Sequence, residues 1–269
     1  MTNQVQGTVG IIGCGNLGLA ILRGLVLSKS LAPEKLFFVD HNPERSKKVA
    51  EQFKVTKLES ISELSRKVET IICAVKPKDF FAAIAEVRQT RDNAKLISVA
   101  AGIRIADIRD TLGEQSTVVR AIPNIPCLVG AGMTGLFGTD LTLLETARSI
   151  FAPISDVYLA SAEKEIDIMT SLSAGGPAFL ALVAEALADG GVKMGLPRDI
   201  ALQVSVQTML GTGAFLKESR EHPARLKDMV CTPNGTTIQG IHALELAGVR
   251  AAMIDAVEAS AKRAMEDLG

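Results

Sequence analysis

Gly13-Cys14-Gly15-Asn16-Leu17-Gly18 stands directly after the apolar run Thr8 to Ile12 and directly before the apolar-periodic stretch Leu19 to Val26. That order reads as strand, glycine turn, helix. A pyrophosphate needs bare backbone N–H groups at a helix start, so glycines are required where the chain turns, where the ligand approaches and where helix packs on strand. As a bare pattern, G-x-G-x-x-G is weak. Here its context strengthens it, because Asp40 closes the next strand-like run, Lys35 to Val39, at about the 20-residue spacing where such folds place an acid.

The alternation continues beyond that point. Pro43 to Phe53 reads as a polar helix, Thr70 to Val75 as a strand, and Phe80, Phe81, Ile84 and Val87 keep helical spacing. Leu96 to Ala100 is a strand stopped by Ala101-Gly102. Ile105, Ile108 and Leu112 form a helical stripe, and Thr117 to Ala121 is a further strand. Runs apolar on both faces, joined by helices, predict a parallel sheet covered on both sides, a doubly wound α/β domain of Rossmann type. After about Leu159 the strand-like runs vanish and Ala, Leu, Met and Glu at helical spacing dominate. The expected division is therefore a dinucleotide-binding domain over 1–162 and an all-helical domain over 163–269.

Within the helical half, Pro177 to Met194 is almost wholly apolar apart from Glu185, Asp189 and Lys193, so it must be covered on more than one side. Either a second copy of the chain covers it or the helix is buried between the domains of one chain. Every long apolar stretch is interrupted by charge before the roughly 18–20 uninterrupted residues of a membrane span, so no membrane partner is expected. Lys+Arg of 29 against Asp+Glu of 30 gives a net charge of −1, which leaves no basic field for a nucleic-acid backbone. Aromatics at 4%, without Trp, also supply no stacking platform. Cys14, Cys73, Cys127 and Cys231 are scattered singly, and His41, His222 and His242 have no second ligand at metal spacing, so no metal site and no disulfide framework are expected. No secretory signal is visible in the first ten residues, and a cytoplasmic address is the default expectation.

Several strand ends carry candidate chemistry. Asp40 would hold the ribose hydroxyls of NAD, yet His41, Asn42, Arg45, Lys47 and Lys48 follow at once and would suit the 2′-phosphate of NADP; the residues leave NADH and NADPH both open. Asn42 and Pro43 also fit a helix cap and first helical position. Ala74-Val75-Lys76-Pro77 ends a strand, where open α/β sheets place their ligand crevice. Pro123 and Pro126 fix the loop that leaves the strand bearing Arg120, either as a crevice wall or as an interdomain bend. Thr232-Pro233-Asn234-Gly235-Thr236-Thr237 precedes a helix bearing Ile238, Ile241, Leu244 and Leu246. Its N–H groups suit a carboxylate; equally, Thr232 or Thr236 would simply cap the helix.

The block Lys227 to Ile238, with His242-Ala243-Leu244-Glu245 and Arg250-Ala251-Ala252 after it, closely resembles the signature of the pyrroline-5-carboxylate reductase family. Val99 to Gly102, Pro123 to Pro126, Gly130 to Thr134 and Ser173 to Phe179 agree in order, so the resemblance spans nearly the whole chain. It implies reduction of 1-pyrroline-5-carboxylate to L-proline by hydride from NADPH or NADH, the last step of proline biosynthesis. By position, Thr232, Pro233, Asn234, Gly235 and Thr236 would bind the substrate carboxylate and Thr237 would bond the ring nitrogen as the catalytic residue. Ile12, Gly13, Cys14, Gly15, Asn16, Leu17 and Gly18, with Asn42 and with Ala74, Val75, Lys76 and Pro77, would hold the cofactor, joined by Asp40 and Arg45. The resemblance also implies that the helical domain forms a homodimer or higher homo-oligomer and completes the active site across it.

The chain departs from the family's usual pattern at Asn234, where Gly is usual, at Ala174-Gly175, where Gly-Ser is usual, and at Ile122 and Ile125, where Met and Thr are usual. Asn tolerates a left-handed backbone better than most residues. Two rival readings are a 3-hydroxyacid dehydrogenase, which would carry a catalytic Lys absent from Ala178 to Ala188, and a non-catalytic NAD(P)-binding sensor or scaffold.

Overall fold

The computed structural model describes residues 4–265. From the N-terminus, strands and helices alternate: β1 (Val9–Ile12), α1 (Asn16–Leu27), β2 (Leu36–Val39), α2 (Pro43–Phe53), β3 (Thr56–Lys57), α3 (Ile61–Lys67), β4 (Thr70–Cys73) and α4 (Pro77–Arg88). The series continues as β5 (Lys95–Ser98), α5 (Ile105–Leu112), β6 (Thr117–Pro123), β7 (Gly132–Gly138), α6 (Leu141–Phe151), β8 (Ser155–Leu159) and α7 (Glu163–Met169). Beyond it come α8 (Gly176–Lys193), α9 (Arg198–Ser219), α10 (Pro223–Val230), α11 (Thr236–Leu246) and α12 (Val249–Met265).

The strands form one sheet in the order β3-β2-β1-β4-β5-β6-β7-β8. Its outward growth from β1 in both directions is the doubly wound pattern expected from the sequence, and side-chain alternation explains why the runs read as wholly apolar. Ile11, Ile72, Ile97 and Val119 enter one buried cluster, whereas their neighbours Ile12, Ile71, Leu96 and Val118 enter the cluster on the opposite face. Helix α2 starts as the sequence predicts, with the Asn42 side chain accepting a 2.9 Å hydrogen bond from the Arg45 N–H and Pro43 at the first helical position. On α4, Phe80, Ile84 and Val87 are buried, but Phe81 points outward and packs edge-on against the Phe80 ring.

The expectation of a wholly parallel sheet is corrected at one pairing. β6 and β7 run antiparallel, with Ala121 opposite Leu136. Between them a single 3₁₀ turn, Ile125–Val129, ends on Gly130 at φ +74, and a connection this short cannot make a parallel crossover.

Two compact units result: residues to Gly175 together with the chain from Ala261, and Gly176–Ser260. The change of texture near residue 160 coincides with the end of the sheet at Leu159, and α7 stays with the sheet unit. There Arg120, buried in the middle of β6, holds Glu163 and Asp167 of α7 at 2.8 Å each. Such a pair is costly to break from one side, because the remaining charge is left in the interior.

In the helical unit α8 and α9 pack against each other, yet only Ala184, Ala188 and Ala201 are buried among its described hydrophobic side chains. One chain therefore does not cover the apolar α8. The helical run Glu163–Lys193 also carries an 18-residue window of mean hydropathy 1.5, enough by length and composition to cross a membrane. The uncharged part of this run, 168–184 between Asp167 and Glu185, is shorter than the roughly 18–20 uninterrupted residues asked of a span, so an 18-residue window here includes at least one charge. The run is not one regular helix, however: Thr170–Ala174 forms a π turn before α8.

Candidate active site

Gly13 follows β1 at φ +92, a conformation that a side chain would strain, and its N–H donates to the Val39 carbonyl at 2.8 Å. A Cβ at Gly18 would collide with the Gly13 carbonyl oxygen, so that glycine is demanded by the close packing of α1 on the turn. Gly15, by contrast, has open space where its Cβ would stand. It caps α1 without any side-chain hydrogen bond, and the first turn holds no acidic residue. The N–H groups of Asn16, Leu17 and Gly18 thus face outward with the positive end of the helix dipole behind them. Turn, open approach and uncapped helix start fit the pyrophosphate of a dinucleotide.

Beside this turn lies a cavity of about 330 Å³, lined by Ile12, Gly13, Val39, Asp40, His41, Ser60 and Val75 among others. The structure therefore brings together Ile12, Gly13, Asp40 and Val75 around one crevice. Ala74 is tied to the same strand end, its N–H donating to the Ile12 carbonyl at 2.8 Å, and Lys76 and Pro77 follow at the exposed start of α4. Asn42 caps α2 a few residues away, with its side chain engaged by its own helix. Cys14 is buried, and burial followed by the nearby Asp40 charge pushes its thiol up to about 12, so it contributes its backbone rather than a reactive sulfur.

Asp40 itself is heavily engaged. Its carboxylate accepts from the Cys14 N–H at 2.7 Å, from the Asn42 N–H at 2.8 Å and from Arg45 through Nη2 at 2.8 Å and Nε at 3.2 Å. Burial alone would raise this carboxyl. The Arg45 hydrogen bond and the two backbone N–H groups outweigh burial and hold it below its usual 3.8.

The helical unit carries the other candidate segment. Asn234 adopts φ 54, the left-handed conformation that Asn tolerates and that a glycine would reach without cost. The chain then closes a turn, Gly235 N–H to the Thr232 carbonyl at 3.0 Å, and α11 begins at Thr236. Neither threonine caps the helix: Gly235 occupies the cap with no side-chain hydrogen bond. The N–H groups of Thr236, Thr237 and Ile238 are consequently open at the helix start. Thr232, Pro233, Asn234 and Thr236 are exposed and Thr237 is half-buried.

Two segments that the sequence marked separately, Pro123 to Pro126 and Ser173 to Phe179, are linked by contacts that sequence reasoning did not foresee. Asn124, just past β6, receives the Met133 N–H on its side-chain oxygen at 2.9 Å and donates from its amide nitrogen to the Ser173 carbonyl at 3.2 Å. It thereby fastens the π turn to the sheet. The buried hydroxyls of Ser171 and Ser173 and the Arg120 Nε have no partner there. A π turn often marks a functional segment, but the sequence carries no periodic signal for one.

A doubly wound sheet with an open glycine turn, a nucleotide-sized crevice and a helical second unit defines a dinucleotide-dependent oxidoreductase. Comparison with known proteins makes this specific. Residues 163–267 match the family described as pyrroline-5-carboxylate reductase dimerisation, and residues 8–102 match the family described as NADP oxidoreductase, coenzyme F420-dependent. The pyrroline-5-carboxylate reductase of Thermus thermophilus is 41% identical over 259 residues, covering 95% of this chain and 96% of its own length. The solved pyrroline-5-carboxylate reductase of Coxiella burnetii superposes with a TM-score of 0.91 at 30% identity, covering 97% of this chain and 98% of that one. A Plasmodium falciparum pyrroline carboxylate reductase structure with NADP bound gives 0.86 at 28% identity, again over 97% of this chain and 98% of that one. The chain belongs to the pyrroline-5-carboxylate reductase family.

Proposed function

We propose that this chain reduces 1-pyrroline-5-carboxylate to L-proline with NADPH or NADH, the last step of proline biosynthesis. The observation that carries the reading is the uncapped start of α11 behind a left-handed Asn234, a site shaped for a small carboxylate. Thr236, Thr237 and Ile238 hold the carboxylate through their N–H groups, with Thr232 to Gly235 setting the curvature of the loop. The Thr237 hydroxyl bonds the ring nitrogen and fixes the ring's orientation.

Little acid–base chemistry is asked of the protein. A protonated ring imine is already electrophilic at carbon, so when hydride adds there the nitrogen keeps its proton and becomes the amine of proline. When bound, the nicotinamide cofactor would supply that hydride. Gly13 to Gly18 would receive its pyrophosphate, with Asp40, Asn42 and Arg45 at the adenosine side and Ala74 to Pro77 along the crevice wall. The rest is positioning, a large effect for a reaction between two held partners.

The apolar surface of α8 and α9 is read as the interface with a second copy of the chain, giving a homodimer or larger assembly rather than a membrane or nucleic-acid complex. Its location inside the matched dimerisation region supports this. A cytoplasmic setting accords with four unpaired cysteines.

The test is the loss of nicotinamide absorbance on mixing purified protein with 1-pyrroline-5-carboxylate and either NADPH or NADH. Substrate-dependent oxidation with proline as product is expected. Nucleotide binding without turnover would overturn the reading in favour of a sensor.

A further inference from the structure

A proline in a helix has no N–H, so the carbonyl four residues before it loses its helical donor. Pro177, the second residue of α8, does this to the Ser173 carbonyl, which falls in the π turn Thr170–Ala174. A donor comes instead from Asn124, whose side-chain amide nitrogen reaches that carbonyl at 3.2 Å. The partners fix which way round the amide lies, because the Met133 N–H at 2.9 Å needs the oxygen and the Ser173 carbonyl needs the nitrogen.

The two ends of this bridge differ in stiffness. Asn124 directly follows Pro123, which closes β6 opposite Thr134 of β7, so the anchor on the sheet is held by the strand ladder. At the far end lies the joint between the two compact units, whose boundary falls between Gly175 and Gly176. Two adjacent glycines stiffen it little, and a Cβ at Gly176 would meet nothing within 4 Å.

We propose that Asn124 is a positioning residue for the hydride step: by supplying the donor that Pro177 lacks, it sets the bend through which the chain leaves the sheet unit and enters α8. The proposal rests on the reductase reading, in which the glycine turn belongs to one unit and the Thr232 to Thr237 loop to the other. Freeing the joint leaves nucleotide binding in place, since Gly13 to Gly18 and Asp40 lie wholly in the sheet unit. What it costs is alignment of the reacting partners, where a displacement of about 1 Å is worth roughly 100-fold in rate.

Asn124→Asp isolates the contact, because it keeps an oxygen for the Met133 N–H while removing the donor to Ser173. In the intact protein this variant should lower kcat with 1-pyrroline-5-carboxylate by roughly 10–100-fold. Its Kd for NADPH by calorimetry should stay within about threefold, and amide exchange over 170–176 should quicken by about tenfold, the loss of one hydrogen bond. Pro177→Ala returns an N–H to the same carbonyl. Asn124→Ala should therefore lower kcat at least about threefold less in the Pro177→Ala background than on its own.

Unchanged kcat despite faster exchange, unchanged exchange over 170–176, or strictly additive effects of the two substitutions would each overturn the proposal. Loss of NADPH binding in step with kcat would also overturn it, by making Asn124 part of the cofactor crevice instead. If Asn124→Asp fails to fold, Asn124→Ser, whose shorter hydroxyl still accepts from an N–H, is judged by the same three readouts. Turnover of the unaltered protein is measured first, so the two readings fail separately: no turnover there sinks the reductase reading and the kinetic role with it, whereas an active parent with an unimpaired Asn124→Asp sinks the positioning role alone.

Discussion

In the sheet unit Ile11, Ile21, Leu25, Ile72 and Ile97 lose all contact with solvent, whereas in the helical unit Leu182, Leu202 and Leu210 expose 66, 46 and 64% of their surfaces. Both halves are rich in aliphatic side chains, so composition does not distinguish them. The sheet unit closes its core within one chain, by helices on both faces. The helical unit leaves an apolar surface in water, and each large aliphatic side chain there forgoes part of the about 1.5–3 kcal/mol that full burial would give. The comparison teaches that the glycine turn is built on a self-sufficient core, while the loop proposed to take the substrate belongs to a unit whose apolar surface one chain leaves open.

Breaking the second half gives the largest effect. Leu202→Asp, on the α8–α9 surface beside Leu182, should leave the chain monomeric by light scattering and weaken self-association by roughly 100–1,000-fold, the cost of an unpaired charge in a closed interface. A dimer that persists unchanged would show that this surface is not the interface. Next in size, Thr237→Ala should lower kcat/KM by about tenfold to a thousandfold with the assembly intact, from one lost hydrogen bond up to a larger defect in orientation. Unaltered kinetics would remove Thr237 from the mechanism.

The smallest effect sharpens the other half. The Asp40 carboxyl sits below its usual 3.8 in the folded chain, so its contribution to stability is complete above that pH and is lost as pH falls below it. Asp40→Asn should therefore cost about 1–3 kcal/mol near neutrality in urea unfolding, and the gap between variant and parent should narrow below pH 3.8. A gap that stays constant with pH would mean that the carboxylate's charge does not matter to the fold.

What the sequence made legible was whatever depends on periodicity and local chemistry. β1, β2, β4, β5 and β6 are short apolar runs buried on both faces, and Asn42-Pro43 marks a helix start by its own hydrogen bond. β7 escaped notice because Gly132, Gly135 and Gly138 interrupt its apolar pattern, and β8 because Tyr158 and Leu159 stay partly exposed at the sheet edge. The glycine turn and the Thr232 to Thr237 loop were legible as motifs. The engagement of Asp40 was not: whether an acid is free or saturated depends on where the Arg45 side chain lies, and spacing alone is compatible with either. The Arg120 pair and the Asn124 bridge join residues distant in sequence, so no local pattern announces them.

The most direct measurement uses NADPH deuterated at the transferring position of the nicotinamide, with 1-pyrroline-5-carboxylate and the purified protein, and reads the product by mass spectrometry. The account predicts proline carrying a single deuterium on the former imine carbon. Unlabelled proline, or oxidised cofactor with no proline at all, would contradict it.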